Sequence, residues 1–462
     1  MLERFFAALM LGWFAGLAAA AELTDHQQLA RDIYAELIEI NTTDSAGDNT
    51  AAARAMERRL LEAGFSADDV QVIEPAPRKG NLIARLRSPA PTARPILLLA
   101  HIDVVEADSA DWSVDPFTFV ERDGYFYGRG TSDDKAMAAI WTANMIRMQR
   151  EGYRATRDLI LALTADEEGG PANGVVHLLA EHRELVDAAF VLNEGGGGAI
   201  RNGVKIANSV QAAEKVYQSY QLEVTNPGGH SSLPRPDNAI VELAAALTRI
   251  AAHEFPVGLN EVSRAFFRQS AATLPAEEAD FVAGLLRNPP DPRAVAYFSK
   301  IPAYNSRIRT TCVATQVTAG HAENALPQRA RATVNCRILP GVDPAAVLST
   351  IQSVVADDGV VVTPVAEAKP SPPSPLTEEI MAPIQSLTEA MWPGVVVIPT
   401  MSTGATDGLY FRNAGIPVYG VSGLFGDIDD VRAHGRDERM SVQSFYEGLE
   451  FLDRLVREYT SD

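Results

Sequence analysis

With 462 residues, the chain is long enough for a large core and for more than one domain. Its 46% hydrophobic and 22% charged residues are those of an ordinary globular protein. A formal charge of -20 excludes the basic footprint that nucleic acid or an anionic membrane surface requires. The two cysteines, Cys312 and Cys336, exclude a disulfide scaffold or a zinc–thiolate cluster; they suffice for one bridge, which the sequence leaves open.

Residues 1–21 read as a secretory signal peptide. Arg4 precedes an apolar run from Phe5 to Ala18, too short for a convincing membrane span, and Ala19-Ala20-Ala21 supplies a small-residue cleavage pattern before Glu22. An uncleaved anchor is the other reading, because Glu3 offsets Arg4. Cleavage near Ala21 would give a secreted or periplasmic protein with no stable membrane association.

The mature chain opens on an amphipathic helix, Leu23 to Ile40, with Leu29, Ile33, Leu37 and Ile40 at helical spacing. A second helix runs from about Thr50 to Ala63, stopped by Gly64. Strands are predicted at Val70–Ile73, Asn81–Leu86, Ile96–Ala100, Leu159–Thr164 and Ala188–Leu192, with a helix at Lys135–Arg150. This alternation predicts an α/β domain with a mostly parallel sheet. After Gln211 the pattern changes. Tyr217–Val224 alternates as a strand, Asp237–Ile250 is amphipathic, residues 254–300 form a helical insertion broken by prolines, and strands follow near Thr310–Val317 and Arg331–Ile338. The proline-rich run from Lys369 marks the return to helix Thr377–Met391, a strand at Val395–Ile398, a loop at Ser402–Gly408, a strand near Pro417–Val421 and a closing helix to Glu458. The expected organisation is a signal peptide (1–21), a catalytic domain in two parts (22–211 and 369–462), and an inserted α+β lid or dimerisation domain (212–368).

The central strand Ile96–Ala100 delivers His101, with Asp103 one residue beyond. Other strands deliver Asp133 and Asp134, Glu167 and Glu168, and Glu194, and His434 follows the last strand. In open α/β sheets, ligands gather at such carboxyl ends. Singly, each group has an ordinary role: Asp133-Asp134 as a helix cap, Glu167-Glu168 as a solvated loop, His434 as a surface imidazole. Together, two imidazoles and several carboxylates on one edge would repel one another without a cation. Their mixed nitrogen and oxygen donors suit zinc, with cobalt or manganese as second choices.

The motifs His101-x-Asp103, Gly128-Arg129-Gly130-x-x-Asp133-x-Lys135, Glu167-Glu168-Gly169, Glu194-Gly195-Gly196, Gly228-Gly229-His230-Ser231-Ser232 and His434-Gly435 resemble metallopeptidase family M-twenty. The run from Arg309 to Gly341 and the insertion before it look most like its carboxypeptidase S and N-acyl-amino-acid hydrolase branch. The resemblance implies a zinc-exopeptidase fold and a two-zinc site. His101, Asp133, Glu168, Glu194 and His434 would be its ligands, Asp133 bridging, and a cis peptide is implied at Asp133-Asp134. Asp103 would orient His101, and Glu167 would be the general base for a metal-bound water. His230 would donate to the oxyanion, and Asn324, Arg337 and Gly404 would grip the substrate's carboxylate. The implied reaction is amide hydrolysis that releases a C-terminal amino acid from a small peptide or N-acyl amino acid. Two assemblies stay open: a homodimer with His230 acting in trans, or a monomer in which it reaches its own site. A two-metal phosphoesterase and a non-catalytic periplasmic metal- or amide-binding protein are the competing functions.

Overall fold

The computed structural model describes residues 22–461. The proposed signal peptide lies outside the described residues. No helix among those described is long and apolar enough to cross a membrane.

Thr24 caps the opening helix, Asp25–Glu39, through a reciprocal bond pair with Gln27, and Asp48 caps the second, Asn49–Glu62, by accepting from the Ala51 N–H. The apolar runs Ile96–His101 and Leu159–Thr164 are buried along their whole length and pair in parallel, with Phe190–Asn193 parallel on the far side of Ile96–His101. These three strands lie within a ten-stranded mixed sheet. It extends through Val418–Gly420, Val204–Glu214 and Gly198–Arg201 to Phe425–Asp427, and ends on the other side at Val70–Ile73. Helix Lys135–Glu151, almost wholly buried, packs between the sheet and the first helix. Parallel strands need cover on both faces, which explains their unbroken apolar character.

Four antiparallel strands form a second sheet in the order Thr311–Ala319, Arg329–Ile338, Val216–Thr225 and Val360–Pro364. Helices Ala239–Ala252 and Pro344–Val355 cover one face of it. The helix at Pro344 and the strand at Val360 extend the strand-helix-strand-strand pattern read from the sequence. The large sheet runs to Glu214 and the second begins at Val216, so Lys215 alone separates them. The helical insertion consists of Glu261–Ser270, Ala276–Leu285, Pro292–Ser299 and Pro302–Ile308. Its first helix packs on strand Val396–Ser402 and sends Val262 into the main core, so this part of the insertion belongs physically to the large sheet. Cys312 and Cys336 face each other across paired strands and form a disulfide.

Candidate metal centre

His101, the Glu167-Glu168 pair and Glu194 sit at or just beyond the ends of buried strands, whereas Asp133 and His434 lie in loops. His101 ends its strand, 2% exposed, and its Nε2 lies 2.9 Å from Asp133 Oδ1. The other ring nitrogen faces Asp103, 3.1 Å from the backbone carbonyl oxygen and 3.5 Å from Oδ1. The two Asp103 oxygens also accept the backbone N–H groups of Glu167 (3.2 Å) and Glu168 (3.0 Å). Asp103 thus orients the imidazole and the acidic loop at once. On the other side of Asp133, His434 Nε2 lies 3.1 Å from Oδ2 and 2.8 Å from Glu168 Oε1.

Two donor groups result, His101–Asp133–Glu194 and Asp133–Glu168–His434, each with its ligand atoms within 4.8 Å of one another and with Asp133 in common. Nitrogen and carboxylate oxygen donors around a shared carboxylate fit a pair of borderline divalent ions. The protonation equilibria point the same way. Burial and neighbouring carboxylates push Glu194 well up, and burial followed by Asp133 pushes Glu168 up, while hydrogen bonds to Asp133 and Glu168 raise His434 to about 9. Bound cations remove that mutual repulsion.

Glu167 stands beside this cluster, and its carboxyl makes no hydrogen bond or ion pair with the described residues. Burial, with Glu194, Asp407 and Glu168 nearby, pushes it up to about 10. With Glu168, His434, Arg337 and Gly404 it lines a cleft of about 380 Å³. Arg337 stands across the strand from Tyr217, its guanidinium 4.7 Å from that ring, and pairs with no carboxylate among the described residues. The Gly404 N–H donates to Ser402 Oγ at 3.0 Å. His230 and Asn324 are not among the cleft's lining residues. Both are exposed on a turn of the inserted segment, where short strand Gly229–His230 pairs with Ala325–Leu326 and the Ser231 N–H donates to the Asn324 carbonyl.

The peptide Asp133-Asp134 is cis. Asp134 makes no side-chain cap bond to the helix it precedes, so the ordinary capping role does not account for this acidic pair.

Four residues at or beneath the site, Glu438, Asp407, Glu214 and Arg412, were not singled out from the sequence. Glu438, fully buried, accepts from the N–H groups of Gly130, Ser132 and Asp133, from Ser132 Oγ, and from Arg129 at 2.6 Å. Arg129 in turn donates to the Gly435 carbonyl at 2.9 Å, which ties the two loops bearing Asp133 and His434. Asp407, at the end of the Ser402–Gly408 loop, lines the cleft; burial raises it to about 7 and Asn173 donates to it at 2.7 Å. Glu214 and Arg412 form a buried ion pair beneath Thr406. The position of Glu438, four residues beyond His434, is the one signal that could have drawn attention to it.

The chain matches Peptidase family M20/M25/M40 over residues 97–458. It belongs to that family, and is an enzyme of the M20 peptidase and amidohydrolase group. It is 31% identical over 385 residues to the human N-fatty-acyl-amino acid synthase/hydrolase PM20D1, covering 80% of this chain and 75% of that one. Among solved structures, the M20 family metallo-carboxypeptidase Sso-CP2 of Sulfolobus solfataricus superposes with a TM-score of 0.69 at 17% identity, over 93% of this chain and 99% of that one. The fold is also shared with Bacillus subtilis YXEP, described as a dinuclear metal binding peptidase of this family (TM-score 0.57, 12% identity, 93% and 97% covered). The mostly parallel sheet and the M20 resemblance read from the sequence are thereby established.

Proposed function

We propose that this protein is a zinc-dependent amidohydrolase that removes a C-terminal amino acid from an N-acyl amino acid or small peptide. The observation that carries the reading is the shared cleft: a carboxylate outside both donor groups, Glu167, and a guanidinium without a carboxylate partner among the described residues, Arg337, line the same walls as Glu168 and His434.

His101, Asp133 and Glu194 would hold one ion, and Asp133, Glu168 and His434 the other. Bound there, the pair supplies Lewis-acid polarisation of a carbonyl and acidifies water. With the neighbouring carboxylates neutralised by bound cations, Glu167 would be ionised, take the proton of the attacking water and pass it to the leaving amine. Its free carboxyl and its backbone tether to Asp103 suit that task. Arg337 binds the substrate carboxylate through its planar fork. The Gly404 N–H would have to leave Ser402 Oγ to join it.

His230 is the oxyanion donor in this reading, supplied by the neighbouring subunit of a homodimer. The Ser232 N–H points at His230 Nδ1 at 3.2 Å, which makes that nitrogen the acceptor and leaves the proton of the neutral ring on Nε2. The exposed turn and its absence from the cleft wall favour delivery in trans. Export to an oxidising compartment is supported by the Cys312–Cys336 disulfide.

Phosphate ester cleavage would call for further cations facing the ions. Arg129, close to Asp133 in sequence, is bound to Glu438 and Gly435 instead. The test is a panel of N-acyl amino acids, dipeptides and phosphate esters, with wild type and Glu167→Gln each loaded with zinc, cobalt or manganese. Amide cleavage that falls by about 10²–10⁴-fold in Glu167→Gln with unchanged metal content is the expected result. Wild-type turnover in that variant would remove Glu167 as the base.

A further inference from the structure

The peptide bond that leads into Glu167 is held at both ends. Its N–H, on Glu167, donates to Asp103 Oδ1 at 3.2 Å, and its carbonyl, on Asp166, accepts from Asn173 Nδ2 at 3.0 Å. Asp166 stands at φ +60°, in the left-handed region that non-glycine residues rarely adopt, so the turn persists only because its surroundings hold it. The Asp166 carboxylate contributes, one oxygen accepting from Lys79 Nζ at 2.5 Å and the other from the Ala172 N–H at 3.1 Å. On one side of the peptide, Asp103 also faces the His101 ring. Asn173 holds the other side.

Every polar atom of the Asn173 side chain is committed. Its Oδ1 accepts the Val176 N–H at 3.0 Å and so caps helix Gly174–Glu181, which fixes the amide with Nδ2 toward the site. The two Nδ2 hydrogens go to the Asp166 carbonyl and, at 2.7 Å, to Asp407 Oδ1. Asp407 is 3% exposed and precedes helix Gly408–Asn413 without a side-chain cap bond to it; its other oxygen is buried with no partner among the described residues. A buried carboxylate held this sparsely costs stability rather than adding to it. Asn173 and Asp407 line the cleft with Glu167, Arg337 and Gly404, so one amide joins the loop that carries Glu167 to the loop that carries Gly404.

We propose that Asn173, oriented by Asp407, is a positioning residue for the general base: with Asp103 it clamps the Asp166–Glu167 peptide plane, and this sets where the Glu167 carboxyl stands relative to the donor cluster and Arg337. The assignment deepens the amidohydrolase reading above and rests on it. Asn173 acts on the reaction only through Glu167. Displacing a reacting group by about 1 Å costs on the order of 100-fold in rate, which sets the scale of the expected loss.

The experiment uses the zinc-loaded protein with Asn173→Asp, which keeps the helix cap and the side-chain size but removes both donated bonds. Hydrogen–deuterium exchange of residues 165–168 should quicken by about tenfold, while strand Leu159–Thr164 stays protected. For an N-acyl amino acid, kcat should fall by about 10–100-fold, with metal content unchanged and KM moved by less than about threefold because Arg337 is untouched. In the Glu167→Gln background the same substitution should cost almost nothing further, since no base is left to position. Asp407→Asn, which still offers Asn173 an acceptor, should lose less activity than Asp407→Ala. Unchanged exchange, a fully additive loss in the double variant, or a KM effect without a kcat effect would overturn the assignment. Quickened exchange in a protein whose wild type cleaves no amide would instead defeat the hydrolase reading and leave the clamp standing. Should Asn173→Asp fail to fold, Asn173→Ser, which also caps but is too short to bridge, takes its place with the same expectations.

Discussion

Glu438 accepts the backbone N–H of Asp133 at 3.1 Å, and so the residue that fixes the shared candidate metal ligand comes from a segment 305 residues away. The same carboxylate holds Ser132 and Gly130 and is charge-paired with Arg129. Outer partners of this kind commonly change metal affinity by 10–100-fold.

Glu438→Gln should therefore lower metal affinity by roughly 10–100-fold without removing a ligand. It should also destabilise the fold by about 3 kcal/mol, because Arg129 is left buried without its counter-charge. Chelator competition and thermal unfolding check the two effects. His101→Ala and His434→Ala should instead lower the stoichiometry itself, and full occupancy in both would take them out of the ligand set.

Arg337→Ala should raise KM about 10–100-fold for substrates with a free α-carboxylate, and much less for the matching amides. Its guanidinium stacks on Tyr217, so a purely structural role is the competing account. Equal losses on both substrate types would establish that alternative.

Lys215 sits at the junction of the two sheets, donating to the carbonyls of Ser306 and Arg309, with the Thr311 hydroxyl 3.2 Å away and able to donate to the neutral amine. Burial, helped by Arg337, pushes it down to about 7. Between that value and the ordinary lysine range the unfolded chain holds a proton that the folded chain lacks. Stability contributed by this residue consequently rises with pH across that window, by up to about 1.4 kcal/mol per pH unit, and is lost as pH falls toward 7. Lys215→Met should lack this slope. Denaturant unfolding of both proteins at several pH values gives the difference, and parallel curves would show that Lys215 keeps its charge in the fold.

His230 in trans makes a complementation test decisive. Glu167→Gln and His230→Ala chains, each inactive alone, should regain activity when mixed and allowed to exchange subunits. Each heterodimer then has one site with both groups intact. No recovery, together with a monomeric mass, would place His230 in cis.

The strands ending at His101, Thr164 and Asn193 were legible because parallel strands buried on both faces must be continuously apolar, and a polar residue after such a run marks the sheet edge. The candidate ligands His101, Glu168 and Glu194 stand out for the same reason, as polar groups following buried runs. Pattern also separated the second sheet, where strand Val216–Thr225 alternates buried and exposed positions. Other features depend on distance in space. Glu438 lies 305 residues from Asp133, and nothing local distinguishes it from a solvated glutamate until the fold buries it against five donors. The Cys312–Cys336 bridge depends on strand register, which no spacing encodes. Helix Glu261–Ser270 lies within the inserted segment in sequence yet packs on strand Val396–Ser402, because its apolar face fits a surface formed only when the late strand is in place. Sequence determined which groups end each strand. Tertiary structure decided which second groups hold them, since burial and hydrogen-bond geometry are properties of neighbours in space and not along the chain.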